Sequence, residues 1–234
     1  MTTGEPLLSL RDVAKSFRSG ALPVRVLRRV ALDLFPGDLV ALVGRSGSGK
    51  TTLLSLIIGW DTDDRGELAW RGEARDLGAV PWRELAMPRA LGLLPELTIE
   101  ENITAPVFLD PAHAGQDHRR LMDDLGLGHL AARDPAETSL GEQQRTAVAR
   151  ALVLRPTVVL ADEPLAHQNG EWTEVCLGLF AELAVGGTAF LVATHDLAVL
   201  HAADRALELH DGRLQPLRPG EPGGAEVRRR TPAS

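Results

Sequence analysis

Eight consecutive residues, Gly44-Arg45-Ser46-Gly47-Ser48-Gly49-Lys50-Thr51, fit the pattern G-x-x-x-x-G-K-[ST]. The apolar run Leu39-Val40-Ala41-Leu42-Val43 before it reads as a buried parallel strand. The run from Thr52 to Ile58 after it reads as a helix opening at Gly49 or Lys50. A glycine-rich loop in that setting can fold its backbone round so that several N–H groups face one anion. The helix N-terminus adds positive potential in the same direction. Lys50 can then reach the β- and γ-phosphates, and the Thr51 hydroxyl can hold Mg²⁺. These residues imply a nucleoside-triphosphate site.

Two later stretches supply the chemistry that such a site needs. Thr157 to Ala161 is a short apolar run that reads as another buried strand, and it delivers Asp162-Glu163. Asp162 is placed to hold Mg²⁺, and Glu163, one residue further, to orient or deprotonate an attacking water. Thr188 to Ala193 is a third buried strand and ends in Thr194-His195-Asp196. Ligands gather at the carboxyl edge of such sheets, so His195 can bond the γ-phosphate and sense its loss.

The elements that position these residues follow from punctuation and periodicity. Leu7–Ser16 and Val24–Leu34 alternate as strands, with a turn near Ser19-Gly20, and Glu67–Trp70 reads as a further short strand. From about Pro81 to Arg155 the pattern turns helical. Pro81, Pro88, Pro95, Pro106 and Pro111 predict short pieces first, then helices over His118–Leu130 and Glu142–Leu154. Glu171–Ala184 and Leu197–Ala203 read as helices, and Asp211-Gly212 as the turn of a closing hairpin. The expected fold is α/β: a P-loop NTPase core with a mainly parallel sheet, an N-terminal antiparallel β subdomain and a helical insert. The domain is expected over residues 5–217, with the insert at about 85–155, and a flexible tail over 218–234, where Pro, Gly and Arg dominate.

Composition narrows the class. A formal net charge of −7 argues against a nucleic-acid partner. A single cysteine, Cys176, lies in an apolar stretch and reads as a small core residue. No basic segment followed by a long apolar one opens the chain, so no signal peptide is expected. No apolar run is long enough to span a bilayer, so any membrane contact is expected through a partner.

Taken together, the phosphate loop, a helical insert, Ser139-Leu140-Gly141-Glu142-Gln143-Gln144-Arg145, Asp162-Glu163 and His195 resemble the ATP-binding subunit of an ABC transporter. Leu93-Leu94-Pro95-Glu96-Leu97-Thr98-Ile99-Glu100-Glu101-Asn102-Ile103 further resembles the branch serving macrolide export, lipoprotein release and peptide efflux. The resemblance implies an ATPase that uses ATP and Mg²⁺ and drives a separate integral membrane permease from the cytoplasmic face of the cell membrane. It implies ATP contacts from Gly44, Arg45, Ser46, Gly47, Ser48, Gly49, Lys50, Thr51 and Thr52, metal ligands at Thr51 and Asp162, and catalytic roles for Lys50, Glu163 and His195. Members dimerise head to tail, so Ser139, Gly141 and Glu142 would serve the site opposite. They stack adenine on an aromatic residue of the N-terminal strands. The chain has no tyrosine, and Phe17 stands at the expected place.

Three positions depart from the family pattern. Arg89 stands where the family has a glutamine that links metal and attacking water to the permease, and an arginine can neither accept a hydrogen bond nor ligate a cation. Leu140 replaces a signature glycine whose missing Cβ allows close backbone approach and φ > 0. Asn169 or a neighbour stands in for an aspartate at the dimer interface. The last two act on the opposite site, so the expectation is an asymmetric pairing with a different ATPase, or a slow pairing with a second copy. The alternatives are a degenerate subunit with little turnover, or a soluble ABC ATPase outside transport.

Overall fold

Apolar side chains that alternate with period two decide the centre of the molecule. In the computed structural model, which describes residues 4–19, 22–74, 76–88, 92–110 and 118–217, three short apolar runs become adjacent strands. They are β3 (Leu39–Val43), β7 (Val158–Asp162) and β8 (Ala189–Ala193), numbered after β1 (Leu8–Ser19) and β2 (Leu22–Leu34). β8 lies between β3 and β7, parallel to both, with Leu42 beside Ala193 and Ala193 beside Asp162. The six-stranded sheet is completed by β9 (Arg205–His210) and antiparallel β10 (Arg213–Pro216) on one side, and by β6 (Leu85–Ala86) on the other.

Both faces of this sheet are buried, as a parallel core requires. Leu39, Ala41, Val159, Ala161, Phe190 and Val192 face one cluster. It takes side chains from helices α2 (Ile99–Leu109), α4 (Leu140–Leu152), α5 (Gly170–Val185) and α6 (Leu197–Ala202), and from α3 (His118–Asp124). Phe180 of α5 stacks on Phe190 at 4.8 Å, and Cys176 lies wholly buried beside them. Burial pushes the Cys176 thiol up to about 11, so it is a packing residue and not a nucleophile.

Val40, Leu42, Val158, Leu160 and Leu191 face the other cluster. There they meet Leu53, Leu54 and Ile57 of α1 (Lys50–Ile57) and the inner face of a separate antiparallel sheet. That sheet has the order β2-β1-β4-β5, with β4 at Arg65–Trp70 and β5 at Glu73–Ala74. The expected α/β class, with an antiparallel β layer beside a mainly parallel core, is what the chain adopts.

The insert differs from its sequence pattern in two places. Pro106 does not break the chain: α2 runs through it to Leu109, because a proline near the last turn costs few helical hydrogen bonds and Asp110 N still reaches Pro106 O. The predicted helix over His118–Leu130 stops at Asp124, and a 3₁₀ turn follows at Gly128–Leu130. Gly126 enforces the stop with φ +65°, and a Cβ there would lie 2.1 Å from the Trp172 ring. Residues 218–234, Arg89, Gly20 and Pro111 lie outside the described residues.

Candidate functional site

The neighbouring ends of β3, β8 and β7 bring the sequence motifs together at one edge of the sheet. β3 runs into the loop Gly44–Gly49, which hands over to α1 at Lys50. Gly49 forms the junction with φ +106°, and any Cβ would lie 2.7 Å from the Val26 side chain. At Gly44 the requirement is closeness, since a Cβ would meet Leu209 O at 2.6 Å. No other residue type meets both conditions.

Lys50 Nζ donates to Gly44 O at 2.7 Å and Arg45 O at 3.4 Å, so its ammonium is folded over the loop and, among the described residues, has no carboxylate partner. The Ser48 side-chain oxygen is buried and, among the described residues, has no hydrogen-bond partner. A buried polar group of that kind asks for an acceptor or donor brought by a ligand. A loop with a spare hydroxyl, a cation and a helix N-terminus fits a triphosphate. Thr51 Oγ1 donates to Asp162 Oδ2 at 2.6 Å, which brings together the two oxygens expected to hold Mg²⁺. Both donors are hard oxygens of the kind that ion takes.

Glu163 follows on β7 with φ +49°, a left-handed conformation that a glutamate adopts at a cost of roughly 1–2 kcal/mol. The surroundings hold it there. Its N–H donates to Ala193 O at 2.9 Å, and its carbonyl accepts from the Gln144 side chain at 2.7 Å. Its carboxylate is gripped twice: His195 Nδ1 lies 2.8 Å from one oxygen, and Thr194 Oγ1 donates to the other at 3.3 Å. An ionised carboxylate only accepts, so this bond requires a proton on His195 Nδ1, and the ring lines the cleft. The Thr194 hydroxyl is itself oriented, because it accepts from Asp196 N at 3.0 Å.

These groups line one cleft of about 650 Å³. Phe17, Val26, Gly44, Ser46, Gly47, Gly49, Lys50, Thr51, Thr52, Asp162, Glu163 and His195 all face it. Phe17 is 42% exposed at its rim, with the Lys15 ammonium 5.1 Å from its ring centre. Lys15 is in turn tied to Asp61 and Thr62 O, each at 2.6 Å, and its hydrogen bond holds the Asp61 carboxyl below its ordinary value. Arg45 faces a neighbouring concavity with His195 and His210, and the Ser48 side chain is enclosed by the loop.

Ser139, Gly141 and Glu142 are not in the cleft; they form the start of α4. Ser139 and Glu142 make a reciprocal capping box, in which Glu142 N donates to Ser139 Oγ at 3.3 Å. Glu142 Oε2 accepts from Ser139 N at 2.7 Å and from its hydroxyl at 2.8 Å. These bonds hold the Glu142 carboxyl below its ordinary range, against desolvation that raises it. The Leu140 backbone is helical and its side chain is 54% exposed, so in this conformation it needs no left-handed φ. The close approach falls on Gly141, where a Cβ would stand 3.0 Å from His167 O. Asn169 caps α5 by accepting from Trp172 N at 3.0 Å, a bond that an aspartate would make equally well. Thr194 and Gln144 were not singled out from the sequence, though Thr194 stands next to His195 in the same strand end.

Comparison with known proteins agrees with this geometry. A model of the ABC transporter family matches residues 27–166. The lipoprotein-releasing system ATP-binding protein LolD of Pseudomonas syringae pv. tomato is 40% identical over 89% of this chain and 96% of its own length. The LolD protein of Shewanella oneidensis is likewise 40% identical, over 89% and 96%. Among solved structures, the ATP-binding cassette MJ0796, as a dimer bound to ADP and Pi after hydrolysis, superposes with a TM-score of 0.80. It is 29% identical over 90% of this chain and 99% of that one. A P-loop cleft with two carboxylates and a histidine, on this fold and at these identities, has one family reading: the chain belongs to the ABC transporter family as an ATP-binding subunit, an ATPase.

Proposed function

We propose that this chain is the motor of an export-type transporter, closing around ATP with a partner ATPase and passing the movement to a separate membrane permease. The observation that carries the reading is the convergence at the sheet edge: Thr51 on Asp162 at 2.6 Å, and His195 on Glu163 at 2.8 Å, under one phosphate loop. In this reading the loop from Gly44 to Thr52 and Lys50 bind the triphosphate, Phe17 stacks the base, and Thr51 and Asp162 hold Mg²⁺. The metal would neutralise charge on the β- and γ-phosphates. Glu163 accepts a proton from the attacking water, and His195 holds that carboxylate and faces the γ-phosphate. Ser139, Gly141 and Glu142 serve the partner's site.

The export assignment rests on the name borne by the similar proteins, that of a lipoprotein-releasing system. Among the described residues no helix is long and apolar enough to cross a membrane. Peripheral attachment to the cytoplasmic face of the cell membrane, through the permease, follows from the motor role. We take residues 5–217 as the ATP-binding domain and about 85–155 as its insert. The groove lined by Trp82, Met87, Pro88, Pro106, Ala151 and Leu154, where Trp82 is 50% exposed, is our candidate for the permease contact.

The test is a mild-detergent pull-down from native membranes, with cross-linking and mass spectrometry. A multi-span permease recovered with the native chain and lost with Ala151→Glu, while nucleotide binding persists, supports the motor. Recovery of no membrane protein would return the reading to a soluble ABC ATPase. The exposed Leu140 favours a second reading within the transporter class, a subunit with slow turnover. A rate near that of Glu163→Gln even with the permease present would select it.

A further inference from the structure

Outside the cleft, the start of α4 and the loop after Glu163 are joined by a closed set of side-chain hydrogen bonds. Gln168 Nε2 donates to Gly141 O at 2.9 Å and to Gln144 Oε1 at 3.2 Å, and Gln168 Oε1 accepts from Arg145 at 2.8 Å. Gln144 Nε2 donates to Glu163 O at 2.7 Å, and Gln144 Oε1 also accepts from His167 N at 3.1 Å. Gln144 and Arg145 are 4% and 6% exposed. Arg145 is braced from behind by Leu125 O at 2.8 Å and by the Trp172 ring at 4.1 Å.

The chemistry of the partners leaves neither amide a choice of orientation. Arg145 and His167 N only donate, while Gly141 O and Glu163 O only accept. Each glutamine therefore has one arrangement that satisfies the set, and turning either amide over breaks bonds at both of its ends. The set also ends on the group that most needs holding. Glu163 sits at φ +49°, and strained conformations of that kind persist only where the surroundings over-determine them. The Gln144 bond to its carbonyl and the Ala193 bond to its N–H are what hold that backbone.

We propose that Gln168 is a positioning residue: its side-chain amide locks the first turn of α4 to the loop after Glu163, so that the two move as one body and the helix sets the aim of the Glu163 carboxylate. This rests on the reading of Glu163 as the base. Gly141 fits the same account, because its lack of a Cβ lets the first turn of α4 close on His167 O. Whatever displaces the start of α4 is then transmitted to Glu163 through two glutamines, with no change in the phosphate loop.

Steady-state hydrolysis by the full chain, with binding of a fluorescent ATP analogue measured in parallel, tests the lock. Gln168→Leu keeps the bulk and removes the bonds. It is expected to lower kcat about tenfold, with analogue affinity within about twofold of native, because Lys50 and Thr51 are untouched. Gln144→Leu should do the same, and the double variant should fall no further than the worse single one, since both cut one path. A native kcat for Gln168→Leu, or two losses that multiply in the double variant, overturns the lock. Glu163→Gln is the control: hydrolysis unchanged by it overturns the reading of Glu163 and the lock with it. If Gln168→Leu does not fold, hydrogen exchange on the native chain decides. Amides of 163–168 and of the first turn of α4 that open together support one body, and independent opening overturns it.

Discussion

At the scale of the residue, the proposed hydrolysis depends on how firmly one carboxylate is aimed. Glu163 carries no backbone freedom of its own, being held in a left-handed conformation, and its two oxygens are assigned to two different donors. Thr194 is the less obvious of the pair. It is 3% exposed, too buried to meet substrate, yet its hydroxyl accepts from Asp196 N and donates to Glu163. Thr194→Val keeps the shape and removes both bonds. We expect kcat to fall by about 10–150-fold, from the loss of one neutral-to-charged hydrogen bond net of water, with KM for ATP nearly unchanged and a melting temperature close to native. A KM that rises with kcat unaltered would place Thr194 in nucleotide binding and not in the aim of Glu163.

At the scale of the element, α4 is a helix whose first turn has its own internal anion. Glu142 is bound by the Ser139 N–H and hydroxyl, where an external phosphate oxygen would otherwise find those donors. Ser139→Ala is expected to cost about 0.5–2 kcal/mol of stability through the lost cap. The contribution of Glu142 carries a pH signature. Its carboxyl is lowered in the folded chain, so the stability it adds is present above its unfolded value and is lost as pH falls through the lowered folded value. Denaturant midpoints of the native chain and Glu142→Ala should therefore differ at neutral pH and converge in acid. A gap that stays constant or widens on acidification would show that the ionised Glu142 carboxylate is not what stabilises the helix start.

The element scale is also where the sequence was most and least readable. Strand, glycine loop and helix around Lys50 were legible because residue type, spacing and burial all point one way there. The body of α4 was legible from the helical spacing over Glu142–Leu154, but the Ser139–Glu142 capping box that starts it two residues earlier, at Leu140, was not read. β6 was not, since two residues give no period, and it becomes a strand only because Leu85 and Ala86 find Val158 and Val159. Nor were the Gln144 and Gln168 contacts, which join residues 19 to 27 apart and depend on where two elements meet. Arg89 was singled out from the sequence, but it lies outside the described residues.

At the scale of the whole molecule, the start of α4 lies outside the nucleotide cleft, and in the proposed reading a second subunit completes the site. The nucleotide cleft holds Lys50, Asp162, Glu163 and His195, whereas Ser139, Gly141 and the exposed Leu140 lie outside it. The similar cassette MJ0796 has been solved as a dimer, and the proposed reading has a second subunit bring Ser139 and Gly141 to the cleft. With Glu163→Gln to hold ATP uncleaved, a protein that pairs with itself should double its mass in light scattering on adding ATP. A protein built for an unlike partner should stay monomeric until that partner is supplied. Leu140 then tells the two cases apart in rate. Its side chain is exposed at the start of α4, and if the proposed pairing brings the other subunit's nucleotide there, Leu140→Gly with Arg89→Gln should raise turnover in a self-paired enzyme, by about tenfold if the side chain displaces one phosphate contact. Unchanged turnover in a proven self-dimer would mean that the leucine is accommodated, and that the weak half of the site lies elsewhere.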